Sequence, residues 1–220
     1  MSRTIGAPML LLVGALAASL FIVGLALDLP ALRLTTKTLP VLAMAAWVFP
    51  HGDRRVAWGL VFGAIGDFCL ALPGGFLAGM VAFAIGHGLY VWAFVHWQRT
   101  MHLALAVPVV AYLATVMTLM WPGLGDMAAP VVVYMSIIGL MIWRAAAVAQ
   151  GHTGDDVPAR WAALGGALLF GFSDTLIGVN RFAQPLAGAG YPIILTYWAG
   201  LWLIARAAVA RRLWKVCSSR

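Results

Sequence analysis

Glutamate is absent from this 220-residue chain, and all seven acidic residues are aspartate. Charge of either sign is scarce, 10% of residues, where a soluble domain carries about a quarter. Cysteine is nearly absent too. Cys69 and Cys217 are far apart in sequence and chemically dissimilar in setting, which excludes a disulfide framework, and no zinc-type spacing exists. The chain also lacks a Gly-x-Ser-x-Gly elbow, a His-Glu-x-x-His pair and a P-loop. Ser173 precedes Asp174 within an apolar run and is no nucleophile elbow. These absences leave no motif for a covalent intermediate, a metal or a cofactor.

What is abundant is apolar sequence, 63% of residues. The apolar runs are continuous, not alternating, which excludes a membrane β-barrel. The pattern predicts an all-α polytopic membrane protein, a single integral membrane domain over residues 1–220. The net charge of +7 does not indicate nucleic-acid binding, because the basic residues sit at span ends and in Arg211-Arg212-Leu213-Trp214-Lys215.

A span needs about 20 apolar residues. Eight are predicted, at 7–27, 32–49, 56–72, 75–97, 102–121, 127–149, 161–180 and 190–210. The breaks between them are rich in Pro, Gly and Asp, as at Pro73-Gly74-Gly75 and Pro122-Gly123-Leu124-Gly125-Asp126. The first apolar run is longer than a signal-peptide core and reads as an uncleaved span. With eight spans, Arg3, Arg54, Arg55, Arg99, Arg144, Arg160, Arg206, Arg211, Arg212, Lys215 and Arg220 share one side. Arg33, Lys37 and Arg181 share the other. The positive-inside rule then puts both termini in the cytoplasm, in a bacterial inner membrane.

Two aspartates and one histidine fall inside spans: Asp67, Asp174 and His87. An acid at mid-span costs roughly 2.5–3.5 kcal/mol on insertion scales and by default marks a functional site facing the bundle. The bland alternative is a buried polar network that fixes helix register. By depth, Asp67, Asp174, Lys37, Tyr134 and Tyr197 fall in the outer half of the bilayer, with His87 near the middle. One polar cavity would satisfy them together. Lys37 either snorkels outward, neutralises one Asp or binds an anionic headgroup. Arg181 is an interfacial anchor or a phosphate contact. His87 and Tyr90 share a helix face. Tyr134 and Tyr197 read as belt residues or as pocket residues, and Trp47, Trp97, Trp121 and Trp161 read as belt anchors. Gly66-Asp67 and Ser173-Asp174 lie four spans apart, so the chain is either a parallel four-plus-four repeat or shows a chance match. Two carboxylates in one poorly hydrated hollow, sharing one proton, form an acid–base pair.

Several segments together resemble the YhhN-like family of membrane lysoplasmalogenases. They are Lys37-Thr38-Leu39-Pro40, Gly66-Asp67-Phe68-Cys69-Leu70, Gly86-His87-Gly88-Leu89-Tyr90, Phe170-Gly171-Phe172-Ser173-Asp174 with Arg181-Phe182, and Tyr197-Trp198-Ala199. The resemblance spans helices two to eight. It implies eight membrane helices and hydrolysis of the vinyl ether bond of a lysoplasmalogen, giving a fatty aldehyde and glycerophosphoethanolamine or glycerophosphocholine. It implies that Asp67 and Asp174 are the acid–base pair, aided by His87. Lys37, Tyr90, Tyr134, Ser173, Arg181 and Tyr197 would then bind the lysophospholipid. Two positions depart from the family pattern. Thr38 stands where proline is usual, and Gly200 where a glutamine is usual, which predicts a lost hydrogen bond in the pocket. The reading from another class is a proton-coupled transporter of lipids or small molecules, built on an Asp–His relay.

Overall fold

The computed structural model describes residues 6–151 and 157–218, with side chains as far as residue 212. Arg3 and Arg220, counted above toward the inner side, lie outside the described residues. So do the side chains of Lys215 and Cys217.

Continuous apolar sequence with no β alternation folds as helix throughout. The helices are α1 (Gly6–Ala26), α2 (Pro30–Thr36), α3 (Leu39–His51), α4 (Arg54–Leu70), α5 (Phe76–Trp97), α6 (Ala106–Leu124), α7 (Ala128–Ala149), α8 (Val157–Phe182) and α9 (Gly190–Ser218). Among the described residues, five stretches are long and apolar enough to cross a membrane: Gly6–Ala26, Phe76–Trp97, Leu103–Ala149, Val157–Phe182 and Gly190–Arg212. The third of these holds both α6 and α7. The chain is accordingly an integral membrane protein.

The expected second span is divided. Pro30 starts α2, and Pro40 sits in the first turn of α3. Proline has no N–H and is accommodated at a helix start, not in its interior. The chain therefore restarts at Thr38, and Lys37 falls in the break. Breaks elsewhere follow the turn chemistry. Gly74 adopts φ +73°, and a Cβ on Gly75 would come within 2.0 Å of the Cys69 carbonyl oxygen, so the α4–α5 turn requires both glycines.

Packing runs from α3 to α4, α5, α7, α8 and α9 and returns to α3, with α4 also touching α9 across the bundle. α1 lies outside against α3, and α6 lies outside against α7 and α8. Glycines set two of the closest seams. A Cβ on Gly86 of α5 would stand 2.9 Å from the Gly59 carbonyl oxygen of α4. Between α8 and α9, a Cβ on Gly166 would stand 2.6 Å from the Gly200 carbonyl oxygen, and one on Gly200 would stand 2.8 Å from that of Gly166. Close approach through small residues is how membrane helices gain contact without a hydrophobic driving force. Gly200 is therefore a packing position between two backbones. The expected loss of a pocket hydrogen bond there does not apply, because the residue faces α8.

Candidate functional site

Asp67 lies late in α4, at 2% exposure, beside a seam where Gly66 accepts the ring of Phe83. Its two oxygens are taken separately. Lys37 Nζ lies 3.0 Å from Oδ1, and the Tyr197 hydroxyl donates to Oδ2 at 2.7 Å. Lys37 closes α2 as its C-cap, its N–H still bonded to the Arg33 carbonyl oxygen, and its side chain reaches across to α4. Of the alternatives for Lys37, neutralising an aspartate is the one observed. Its side chain keeps 22% exposure.

Asp174 lies on α8 and is half-buried. The Tyr134 hydroxyl of α7 donates to its Oδ2 at 2.5 Å. Among the described residues no cation pairs with Asp174. Thr175, the next residue, is hydrogen-bonded to Tyr112 of α6. Asp174 and Tyr134 open onto a cleft of about 470 Å³, its mouth included. The rest of its wall is apolar and flexible, with Met80, Met120, Met135, Ile177 and Phe83 prominent. The lining is of a kind that suits apolar groups, and a single carboxyl faces it.

Each carboxylate keeps its own tyrosine. Aromatic rings stand between them. Phe170 packs 5.2 Å from Tyr197 and 4.5 Å from His87, and His87 packs 5.6 Å from Tyr134, centroid to centroid. His87 thus lies between the two sets of residues. It is 1% exposed, and among the described residues neither of its ring nitrogens has a hydrogen-bond partner.

The other expected residues divide. Arg181 is exposed at the cleft's end, its guanidinium 3.9 Å above the ring of Phe76, and both Phe76 and Phe182 line the cleft. Tyr90 lies lower, its ring packed on Gly59, eight residues or about 12 Å along α4 from Asp67. Its hydroxyl is buried and has no hydrogen-bond partner among the described residues. Ser173 is fully buried and donates to the Ile193 carbonyl oxygen at 2.9 Å, which ties α8 to α9 and points it away from the cleft. Trp97 is no simple belt anchor, because its Nε1–H donates to Asp53 at 2.9 Å.

Sequence reasoning missed Phe83, Phe170, Met120 and Tyr112. Apolar residues in a membrane span carry no signal of their own. Only Thr175, a hydroxyl next to an intramembrane acid, marked the Tyr112 contact. No group of three or more His, Cys, Asp or Glu among the described residues could hold a metal.

The sequence model of the YhhN family matches residues 32–208. The chain belongs to the YhhN family. Among curated proteins it is 39% identical to human lysoplasmalogenase TMEM86B over 79% of its own length and 74% of that protein. It is 36% identical to the pig TMEM86B lysoplasmalogenase, over 77% of this chain and 72% of that one. It is 36% identical to bovine lysoplasmalogenase TMEM86A, over 80% and 78%. No solved structure matches the chain. The family match begins at α2 and leaves out α1, which packs on the outside of the bundle.

Proposed function

We propose that this YhhN-family protein hydrolyses the vinyl ether bond of a lysoplasmalogen, releasing a fatty aldehyde and glycerophosphoethanolamine or glycerophosphocholine. The names of relatives up to 39% identical support the reaction class. The observation that carries it in this chain is the unequal pair of intramembrane acids. Asp67 has a lysine and a tyrosine; Asp174 has a tyrosine, no cation, and an apolar cleft in front of it.

The inequality has a simple origin if the chain is a parallel repeat of two four-span halves. Several observations support that reading and an eight-span topology, with α2 and α3 together as one broken span. Gly59 and Gly166 each lie eight residues before an aspartate, and each meets a glycine of the next helix, Gly86 or Gly200. α3, α4 and α5 pack in the order that α7, α8 and α9 repeat, and α1 sits on α3 as α6 sits on α7. In register, Phe83 corresponds to Tyr197, each three residues before its glycine. Each aspartate also takes a partner from the preceding span, Lys37 for Asp67 and Tyr134 for Asp174. The second half-site has therefore exchanged a cation for a phenol and a phenol for a phenyl ring. The excess of arginine at the ends away from the acids supports termini in the cytoplasm and the acids toward the outer leaflet.

An isolated carboxylate in apolar surroundings is far costlier than the neutral acid, whereas a paired one is compensated. Asp174 thus enters as the acid and Asp67 as the carboxylate. The Asp174 hydroxyl gives its proton to the β-carbon of the vinyl ether. A C–H bond forms, and the α-carbon becomes an oxocarbenium ion sharing charge with the ether oxygen. Water adds to that carbon and yields its proton to a carboxylate, which gives a hemiacetal. The hemiacetal's C–O bond to glycerol breaks, the glycerol oxygen takes a proton, and the hydroxyl proton is lost to leave the aldehyde. Asp67, across the intervening rings from the cleft, supplies negative charge toward the cation at longer range. His87, whose ring nitrogens are unpartnered, orients the water. Arg181 at the cleft's mouth meets the phosphate, while the single chain lies among Met80, Met120 and Met135.

The test is aldehyde release from lysoplasmalogen by the purified protein in detergent. Asp67→Asn and Asp174→Asn should each abolish it while the protein still inserts. Turnover retained in either variant would count against the reaction as written. A transporter would release no aldehyde in the absence of a compartment.

A further inference from the structure

The opposite end of the bundle carries a second polar hollow that the reaction does not use. It spans about 500 Å³, its open mouth included, and is lined by Asp53, Arg55, His96, Trp97, Arg211 and Arg212. Three guanidinium groups and an imidazole face one carboxylate there. That carboxylate is already committed. Asp53 caps α4, accepting from the Arg55 main-chain N–H at 2.9 Å, and its other oxygen accepts from Trp97 Nε1 at 2.9 Å and, loosely, from Arg55 at 3.5 Å. Main-chain oxygens and rings are among the contacts of the cations. Arg212 donates to the carbonyl oxygens of Pro50 and Gly52 at 3.2 Å, and Arg211 donates to that of Trp97 at 3.2 Å. Arg55 lies 4.8 Å over the ring of Trp92, itself 58% exposed on the apolar flank.

The hollow is built and not merely a fringe of span-end charge. A Cβ on Gly52 would lie 2.9 Å from Val48 and 3.2 Å from Val209, so α3 and α9 close on the α3–α4 turn and hold its carbonyls toward Arg212. Arg212, fixed by two main-chain oxygens, and Arg55, seated over Trp92, both line the hollow, and the guanidinium fork matches phosphate geometry. An exposed indole beside them is the usual neighbour at headgroup depth.

We propose that this hollow binds a phosphate group, supplied by the headgroup of an anionic phospholipid in the leaflet at the basic end. It is separate from the cleft at Asp174 and does not depend on the reaction assigned there.

The full-length protein in detergent is titrated with dioctanoylphosphatidylglycerol, dioctanoylphosphatidylcholine or inorganic phosphate, and bound species are counted by native mass spectrometry. Retention of the glycerol lipid, with the choline lipid and free phosphate not retained, is the expected result. One basic residue near an anionic surface should change affinity about fivefold. Arg55→Gln and Arg212→Gln should each weaken retention by about that factor. Arg54→Gln, which removes the same charge from an exposed neighbour outside the hollow, should leave it unchanged. Free phosphate retained with the same pattern of variants would keep the site and assign it to a soluble anion. Equal loss in Arg54→Gln would show diffuse surface attraction and overturn the proposal, as would lack of retention or indifference to both hollow variants. Arg212 is exposed, so its variant keeps the test open if Arg55→Gln does not fold.

Discussion

Removing Lys37 separates the proposed roles of the two acids most sharply. Its ammonium lies 3.0 Å from Asp67 Oδ1, and Asp67 is 2% exposed, so Lys37→Met strands a carboxylate inside the bundle. Breaking a buried pair by removing one partner costs about 3–5 kcal/mol. Lys37 keeps some access to solvent, which argues for the lower end. At roughly 2–4 °C per kcal/mol for a chain of this length, about 3 kcal/mol is a loss of some 6–12 °C in detergent. The stranded group can also relieve itself by taking a proton, and then both half-sites are acids and no carboxylate remains to offset the cation. Lys37→Met should therefore lower both thermal stability and aldehyde release. Lys37→Met combined with Asp67→Asn removes both charges, so it should regain most of the stability and none of the activity. Thermal unfolding and aldehyde release on the same preparations separate the two effects. A Lys37→Met protein with wild-type stability and turnover would refute the pairing argument, and recovery of turnover in the double variant would refute the role of Asp67.

Tyr134→Phe removes a donor that favours the charged form of Asp174, so proton delivery to the vinyl carbon should be no slower than in the parent, with little change in folding; single-turnover aldehyde release reads this. Gly200→Gln should fail to accumulate as folded protein, because its first side-chain atom would meet the Gly166 carbonyl oxygen at 2.8 Å; yield of monodisperse protein reads this. Met120→Ala enlarges the cleft where Gly178 receives the thioether, and it should shift preference toward longer alkenyl chains in a chain-length panel.

Helix positions were legible because a membrane admits only backbone that satisfies itself, so apolar run length translates directly into helix. The break at Lys37 was not, since proline alone does not say whether a span bends or restarts. The acids were legible for the reason that makes them costly: an aspartate among apolar residues needs a partner, and Lys37, Tyr134 and Tyr197 were the nearby candidates. Which tyrosine served which acid depended on α9 reaching across to α4, a non-local fact with no trace in spacing. Gly200 was misread in the opposite direction. A small residue in place of a larger polar one resembles a loss of function, yet here it admits a neighbouring backbone.

Phe83 offers the strictest test of why the two half-sites differ. It lines the cleft with Asp174 and occupies the register position that Tyr197 holds toward Asp67. If the missing hydroxyl is what keeps Asp174 an acid, Phe83→Tyr should restore a donor beside it. A donor favours the carboxylate over the acid, because it binds the charged form more strongly. Phe83 lines the cleft, so the change adds one oxygen at the wall of an existing space. At about 1.5–3 kcal/mol for a hydrogen bond to a charged group, proton delivery to the vinyl carbon should slow roughly ten- to a hundredfold. The solvent isotope effect on kcat should rise as that step becomes limiting, while KM for the lipid stays near its original value. A kcat unaffected by the new hydroxyl would mean that Asp174 does not deliver the proton. Increased KM alone would mean that the ring serves only to shape the cleft.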